Sequence, residues 1–312
     1  MTSPASSPPT NRIDKIIDRR SAIKRLTGLL ALATVFTLLA DVYWFFELFT
    51  HFVPWYAGFA VCLGTALALL RAWPWAALAA AMALWHGYTV VSYLASAPVV
   101  AQPAGKNRLT IFHFNAYLHH AEPHRISVHV RRQRGIDVVV LLEASPRFAG
   151  MIADLKEDFP HQLTHLEDSP FGIAVLSRFP IEQGVITRAP GGYPHAELTL
   201  KLPGRNEPLA LYAIHPPPPI NDELARARDE KLAYVANKIV AQASTTPIVV
   251  GDFNVTPWSP AYARFVQASG LRALREPWRL NHTWPVTGST AYIGINIDHT
   301  FAHPSLALVK RE

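Results

Sequence analysis

The sequence predicts an α/β domain, with sheets covered by helices on their outer faces, behind three membrane-crossing helices. Three observations lead there. Apolar residues make up 50% of the 312-residue chain and are concentrated in its first hundred positions. The remainder alternates wholly apolar runs, such as Val138 to Leu142 and Pro247 to Val250, with helical patterns and hairpin-like segments. Strands that are apolar throughout are strands buried on both faces, which requires a cover on each. The third observation is that most of these runs end on an acid, an amide or an imidazole.

Between Leu26 and Leu94 the only charged residues are Asp41, Glu47 and Arg71. Three apolar segments, Leu26 to Phe46, Phe52 to Leu70 and Trp73 to Leu94, each approach the roughly 20 residues that span a hydrocarbon core. Trp44, Trp55, Tyr56, Trp73 and Trp75 fall near their ends, as interfacial aromatics do. A soluble helical bundle would need a polar face that these segments lack. A cleaved leader would have one apolar core, not three. Positive charge before the first segment and Arg71 between the second and third place both on the cytoplasmic side. The chain after Leu94 is then expected outside the cytoplasm, periplasmic or extracellular, with the protein in the plasma (inner) membrane. Asp41 is expected at the outer interface and not in a proton relay.

The division that follows is a basic cytoplasmic tail at 1–25, disordered over residues 1–10, a membrane domain at 26–95, a linker at 96–107 and a globular domain at 108–312. The net charge of +6 divides into +4 in the tail, −1 in the apolar stretch and +3 beyond it. The basic excess is therefore mainly membrane-flanking and does not describe a polyanion-binding face. Cys62 is the only cysteine, which excludes an internal disulfide and a cysteine metal site.

In the C-terminal part the expected elements are strands at 108–115, 137–142, 173–176, 181–186, 196–200, 209–214, 247–250 and 297–301. Helices are expected at 122–133, 146–156, 221–243 and 260–268, the third capped by Asn221 or Asp222. Asn115 closes the first strand and Glu143 the second. His215 follows Leu209–Ile214 and precedes four prolines that stiffen the next segment. Asp252-Phe253-Asn254 follows Gly251, and in an extended turn residues two apart point the same way. Asp298-His299 pairs a hard oxygen ligand with a group that titrates near neutrality. Each alone has a structural explanation: a solvated charge, an Asx turn or a surface histidine. Together they satisfy the rule that ligand sites in α/β sheets lie beyond strand ends.

At this point the chain resembles the endonuclease/exonuclease/phosphatase superfamily, over about Arg108 to Lys310. The residues that carry the resemblance, in order, are Asn115, Glu143, Gly172–Arg178, His215, Gly251–Asn254, Thr283-Trp284-Pro285 and Asp298-His299. It implies a four-layer α/β sandwich, two packed mixed sheets flanked by helices. It implies that Glu143 is the principal metal ligand, with Asn115 and Asp298 nearby, and that Asp252, assisted by Asn254, orients or deprotonates the attacking water. His215 and His299 would hold phosphoryl oxygens, with Asn254 also contacting substrate. Arg178 would bind substrate or brace the fold, bracing being favoured, and Trp284 is expected in the core. Oxygen-rich ligands favour Mg²⁺, with Mn²⁺ as a substitute.

Two departures bear on substrate. Leu142 stands where many nucleases of the family carry Gln, and no basic, aromatic loop for gripping DNA is evident. Nine further histidines, His113, His119, His120, His124, His161, His165, His195, His282 and His303, show no ligand spacing and are expected to be solvated or structural. The expectation is a membrane-anchored, metal-dependent phosphoester hydrolase, with a diester the expected substrate. Its partners would be the bilayer and a substrate drawn from nucleic acids, phospholipids or small phosphorylated compounds; no protein partner is inferable. The alternative is a non-catalytic module that binds an anionic ligand on the same fold.

Overall fold

The structure, a computed structural model, describes residues 12–97, 108–119, 122–188, 190–205, 207–242, 244–285 and 293–311, with the backbone alone for 12–18. The expected tail at 1–10, nearly all of the linker and His120 lie outside the described residues. The chain divides into two compact units, Met1–Ser92 and Tyr93–Glu312.

The N-terminal unit is helical: α1 (Arg12–Leu38), the single turn α2 (Trp44–Glu47), α3 (Val53–Leu69) and α4 (Trp73–Ala95). Three helical stretches are long and apolar enough to cross a membrane, Arg19–Leu38, Trp44–Leu69 and Trp73–Ala95. The count is as expected, but the first boundary is not. The helix stops at Leu38, a turn holding Asp41 follows, and Trp44 to Phe46 belong to the second stretch. The basic residues from Arg12 onward are also helical, continuous with the first stretch and not an extended tail. Pro54 sits in the first turn of α3, where no amide hydrogen is required. Small residues let α3 and α4 approach: a Cβ on Gly64 would stand 3.4 Å from the Ala79 methyl. Outward-facing leucines such as Leu29, Leu69 and Leu84 are exposed by 63%, 80% and 75%. A water-soluble bundle would bury these.

The C-terminal unit holds two mixed sheets. The first has the order β1 (Ile111–Asn115), β2 (Val138–Leu142), β4 (Ile173–Ser177), β3 (His161–His165), with β1 and β2 parallel. The second has the order β5 (Ile181–Thr187), β6 (His195–Leu200), β7 (Leu209–Ile214), β8 (Thr246–Asp252), β10 (Asp298–Ala302), β9 (Arg272–Ala273), with β7 and β8 parallel. Strand alternation assigns each side chain to a layer. Val138, Val140 and Leu142 pack between the sheets against Leu198, Leu211 and Val250. Val139 and Leu141 face outward onto Ile126 and Val130 of α5 (His124–Arg132) and Met151 of α6 (Ala149–Asp154). On the other side Tyr212, Ile214 and Val249 cover α7 (Asp222–Ala241) and α8 (Pro260–Ser269) through Leu232, Val235 and Phe265. This is the four-layer sandwich, and the central strands β2, β4, β7 and β8 are buried on both faces.

The Asn221 side chain caps α7 by accepting from the Leu224 amide at 2.8 Å. The expected helix at 146–156 is shorter, a 3₁₀ turn followed by α6. Two strands were not expected. β3 carries His161, Gln162, Thr164 and His165, and β9 has only two residues, so neither shows an apolar run.

Register aligns the strand ends. Asn115 pairs with Leu142, Ile214 with Gly251, and Asp298 with Asp252 across the antiparallel β8–β10 ladder. Asn115, Glu143, His215, Asp252 and Asp298 therefore emerge at one edge of the sandwich. Two glycines permit the close packing at that edge. A Cβ on Gly172 would lie 2.1 Å from the Ala144 carbonyl oxygen, and one on Gly251 would lie 1.9 Å from that of Ile214. Gly251→Ala is expected to destabilise the domain by about 3 kcal/mol, lowering its melting temperature by roughly 6–12 °C. Circular dichroism of the full chain in detergent measures this.

Candidate active site

Glu143 directly follows β2 and adopts φ of +56°, a left-handed conformation that is uncommon outside glycine. The bend returns its carboxylate over the sheet edge. There Oε1 accepts from the Asn115 amide at 2.9 Å and Oε2 from the Leu118 backbone amide at 2.9 Å. The same Asn115 nitrogen donates to Asp252 Oδ2 at 3.2 Å. One amide thus ties an acid of the first sheet to an acid of the second. Asn254, at φ of +51°, folds back so that its own amide N–H donates to Asp252 Oδ1 at 3.0 Å. Its side chain donates to the Pro216 carbonyl at 2.9 Å, fastening the proline segment after His215.

His215 is buried, with Nδ1 2.9 Å from the Pro170 carbonyl, so that nitrogen carries the hydrogen. Nε2 then presents a lone pair 3.8 Å from Asp252 Oδ2. Two acceptors at that separation suit one shared donor, such as a water that bonds both. Asp298 opens β10 on the inner face, and its backbone amide donates to Thr283 Oγ1 at 3.1 Å. Burial raises the Asp252 carboxyl well above its ordinary value, and the charges of Asp298 and Glu143 raise it further. Burial likewise raises Asp298, against the pull of Thr283 and His215, while burial lowers His215.

The donors present suit a hard divalent cation. Glu143, Asp252 and Asp298 bring carboxylates to one edge, and each of the two strongly buried acids is made less acidic, by burial first and then by the charge of a neighbouring carboxylate. Among the described residues no group of three His, Cys, Asp or Glu side chains stands close enough to hold an ion unaided. A sparse, carboxylate-based set matches Mg²⁺, which keeps several waters and takes only one or two carboxylates from the protein.

The structure corrects two assignments, those of His299 and Trp284, and places two further residues, Arg178 and His113. His299 neighbours Asp298 on a strand, so its side chain leaves from the other face. It lies against Phe253, Tyr262 and Phe301 with Nε2 2.8 Å from the Val255 carbonyl, and burial lowers it to about 3. It is a core residue and not a phosphoryl ligand. Arg178 follows β4, which runs antiparallel to β2, and so falls at the opposite edge from Glu143. Its Nε donates to the Ile136 carbonyl at 2.6 Å and its guanidinium covers Phe159, which is bracing and not substrate contact. Trp284 is 57% exposed and therefore not core. His113, expected to be solvated or structural, faces inward from β1, with Nε2 4.0 Å from Asp298 Oδ1, and burial lowers it to about 4. Its signal was its place two residues before Asn115, on the same face of the strand.

Comparison with known proteins adds a family. The model of the Endonuclease/Exonuclease/phosphatase family matches residues 106–312. No curated protein matches the sequence. Among solved structures, a β-hairpin deletion mutant of beta toxin from Staphylococcus aureus is 14% identical with a TM-score of 0.52, covering 66% of this chain and 93% of that one. SmcL is 20% identical, with a TM-score of 0.51 and coverage of 64% and 85%. D. rerio TDP2 with a single-stranded DNA product is 16% identical, with a TM-score of 0.50 and coverage of 63% and 84%. At these identities the likeness is one of fold.

The raised Asp252 carboxyl has a consequence for stability. The folded chain binds a proton there more readily than the unfolded chain, so this group's contribution is present at low pH. It is lost as pH rises from about 3.9 through the raised folded value. In EDTA, the melting temperature of Asp252→Asn relative to the parent is expected to climb as pH rises above about 4. Saturating Mg²⁺ should shrink that difference, whereas a difference constant with pH would contradict crowding of buried acids.

Proposed function

Because the chain belongs to the Endonuclease/Exonuclease/phosphatase family, we propose that it is a membrane-anchored phosphoester hydrolase that uses a divalent cation, Mg²⁺ in preference to Mn²⁺. Attack by an activated water on a phosphodiester, outside the cytoplasm, is the reaction the site fits best. The observation that carries this is the Asn115 amide bridging Glu143 and Asp252, which gathers acids from two sheets at one edge.

A cation bound there, held by Glu143 with Asn115 and Asp298 beside it, would polarise the phosphoryl oxygen and offset charge on the leaving oxygen. Asp252 Oδ2 and His215 Nε2 hold the attacking water between them. Asp252, whose raised basicity suits proton uptake, removes its proton. Asn254 steadies Asp252 through its backbone amide and keeps the segment after His215 from shifting. The His215 tautomer, fixed by Pro170, keeps Nε2 free to accept from the water or, once protonated, to donate toward a phosphoryl oxygen. The apolar outer surface of the N-terminal helices supports anchorage in a bilayer. The positive charge before the first span supports placing the catalytic unit on the far side.

Full-length protein is expected to hydrolyse bis(p-nitrophenyl) phosphate with Mg²⁺ and to stop in EDTA. Glu143→Ala and Asp252→Ala should each lose about 10²- to 10⁴-fold in kcat, while His299→Phe should stay within about threefold, because that ring lies on the other sheet face. Wild-type rates in the two acid variants would refute the assignment. Mg²⁺ or Mn²⁺ binding with no turnover on any phosphoester would favour the anionic-ligand module instead. Orientation is tested separately: a reporter active only outside the cytoplasm, fused after Glu312, should give signal, and a silent fusion of normal abundance would reverse it.

A further inference from the structure

Resting on the hydrolase reading above, we propose that His113 is a positioning residue of the same site, holding Asp298 through an Nε2–H···Oδ1 hydrogen bond that closes when the carboxylates engage a cation. His113 lies on β1 between Ile111, which packs into the space between the sheets, and Asn115, which bonds Glu143 and Asp252. Alternation therefore sends all three side chains inward. The imidazole stands beneath Asn115 and reaches across to the second sheet, where Nε2 comes 4.0 Å from Asp298 Oδ1.

That nitrogen is buried and, among the described residues, has no hydrogen-bond partner. Buried polar nitrogens are nearly always satisfied, so an unsatisfied one next to a carboxylate calls for an explanation. An aliphatic side chain at 113 would suit the apolar space between the sheets, into which Ile111 packs from the same strand. A histidine there serves Asp298, whose side chain otherwise has, among the described residues, only the Thr283 hydroxyl as a hydrogen-bond partner. A displacement of about 1 Å brings 4.0 Å to hydrogen-bond length. The closed contact would fix Asp298 from below while its other oxygen faces the cation. Asn115 holds Glu143 and Asp252 from the same strand, so β1 would set the position of all three acids.

The test uses the full chain in detergent, with Mg²⁺ and Mn²⁺ alone as probes, and compares the parent with His113→Leu and His113→Gln. Leu fills the space without a donor, and Gln returns an N–H at similar reach. Three readouts are taken: the melting temperature in EDTA, the cation concentration that half-saturates the thermal shift, and kcat and KM on bis(p-nitrophenyl) phosphate. His113→Leu should melt in EDTA at or above the parent temperature, yet need at least tenfold more cation. Its kcat should fall at least tenfold with KM within threefold. His113→Gln should recover most of both losses. A His113→Leu protein that binds cation and turns over within twofold of the parent overturns the proposal, as does failure of Gln to recover anything while still folded. If the parent itself neither binds cation nor hydrolyses any phosphoester, the hydrolase reading falls, and this assignment with it.

Discussion

Three carboxylates forced together at a buried sheet edge are the constraint on which the rest of the site depends. Moving one anion out of water is costly, and placing others beside it is costlier. Asp252 and Asp298 meet this by becoming weaker acids, and among the described residues no lysine or arginine is hydrogen-bonded to either carboxylate, although the Arg311 guanidinium, which donates to the Asp298 backbone carbonyl at 3.3 Å, draws Asp298 down in part. The donors to the three carboxylates are neutral: one asparagine amide shared by Glu143 and Asp252, the Leu118 amide on Glu143, the Asn254 amide on Asp252, and a threonine hydroxyl on Asp298. Neutral donors orient carboxylates without cancelling their charge, which leaves the field available to a cation. A salt-bridged arrangement would be more stable in isolation and unable to bind one.

The fold supplies the force that keeps the acids close. Between the sheets and on their outer faces lie three apolar clusters, and moving any strand along its axis would cross every pair within them. Parallel pairing of β1 with β2 and of β7 with β8 puts two pairs of strand ends at one edge, and antiparallel β10 brings its first residue there. Gly172 and Gly251 allow neighbouring backbones to come closer than a Cβ permits. The left-handed backbone at Glu143 and Asn254 then aims side chains that a regular strand would have sent elsewhere.

Much of this was legible in the sequence because apolar runs reveal strands buried on both faces, and polar residues at their ends reveal an edge. Asn115, Glu143, His215 and Asp252 each follow such a run and arrive where that logic sends them. What the sequence hid has physical reasons. β3 pairs through its backbone while carrying His161, Gln162 and His165, so no periodicity announces it. The break after Leu38 depends on local turn geometry in a stretch that is apolar on both sides, and hydropathy has no contrast to mark it. Arg178 sits beside a strand that matched the family pattern, but only the antiparallel register shows which end of the sheet it occupies.

His299 and His113 show how one rule decides both a false assignment and a missed one. Asp298 and His299 are adjacent, and adjacency in sequence suggests a shared role. On a paired strand it guarantees the reverse, since neighbours leave from opposite faces. The β8–β10 ladder runs through both residues, with Asp298 opposite Asp252 and His299 opposite Gly251, so the backbone has no freedom to bend and unite them. The imidazole that does approach Asp298 comes from a different sheet, 185 positions earlier in the numbering from 113 to 298, and lies two residues from Asn115. Spacing by two on a strand says more about shared chemistry than spacing by one. A buried, unsatisfied histidine nitrogen facing a carboxylate is the structural sign that the spacing has been used.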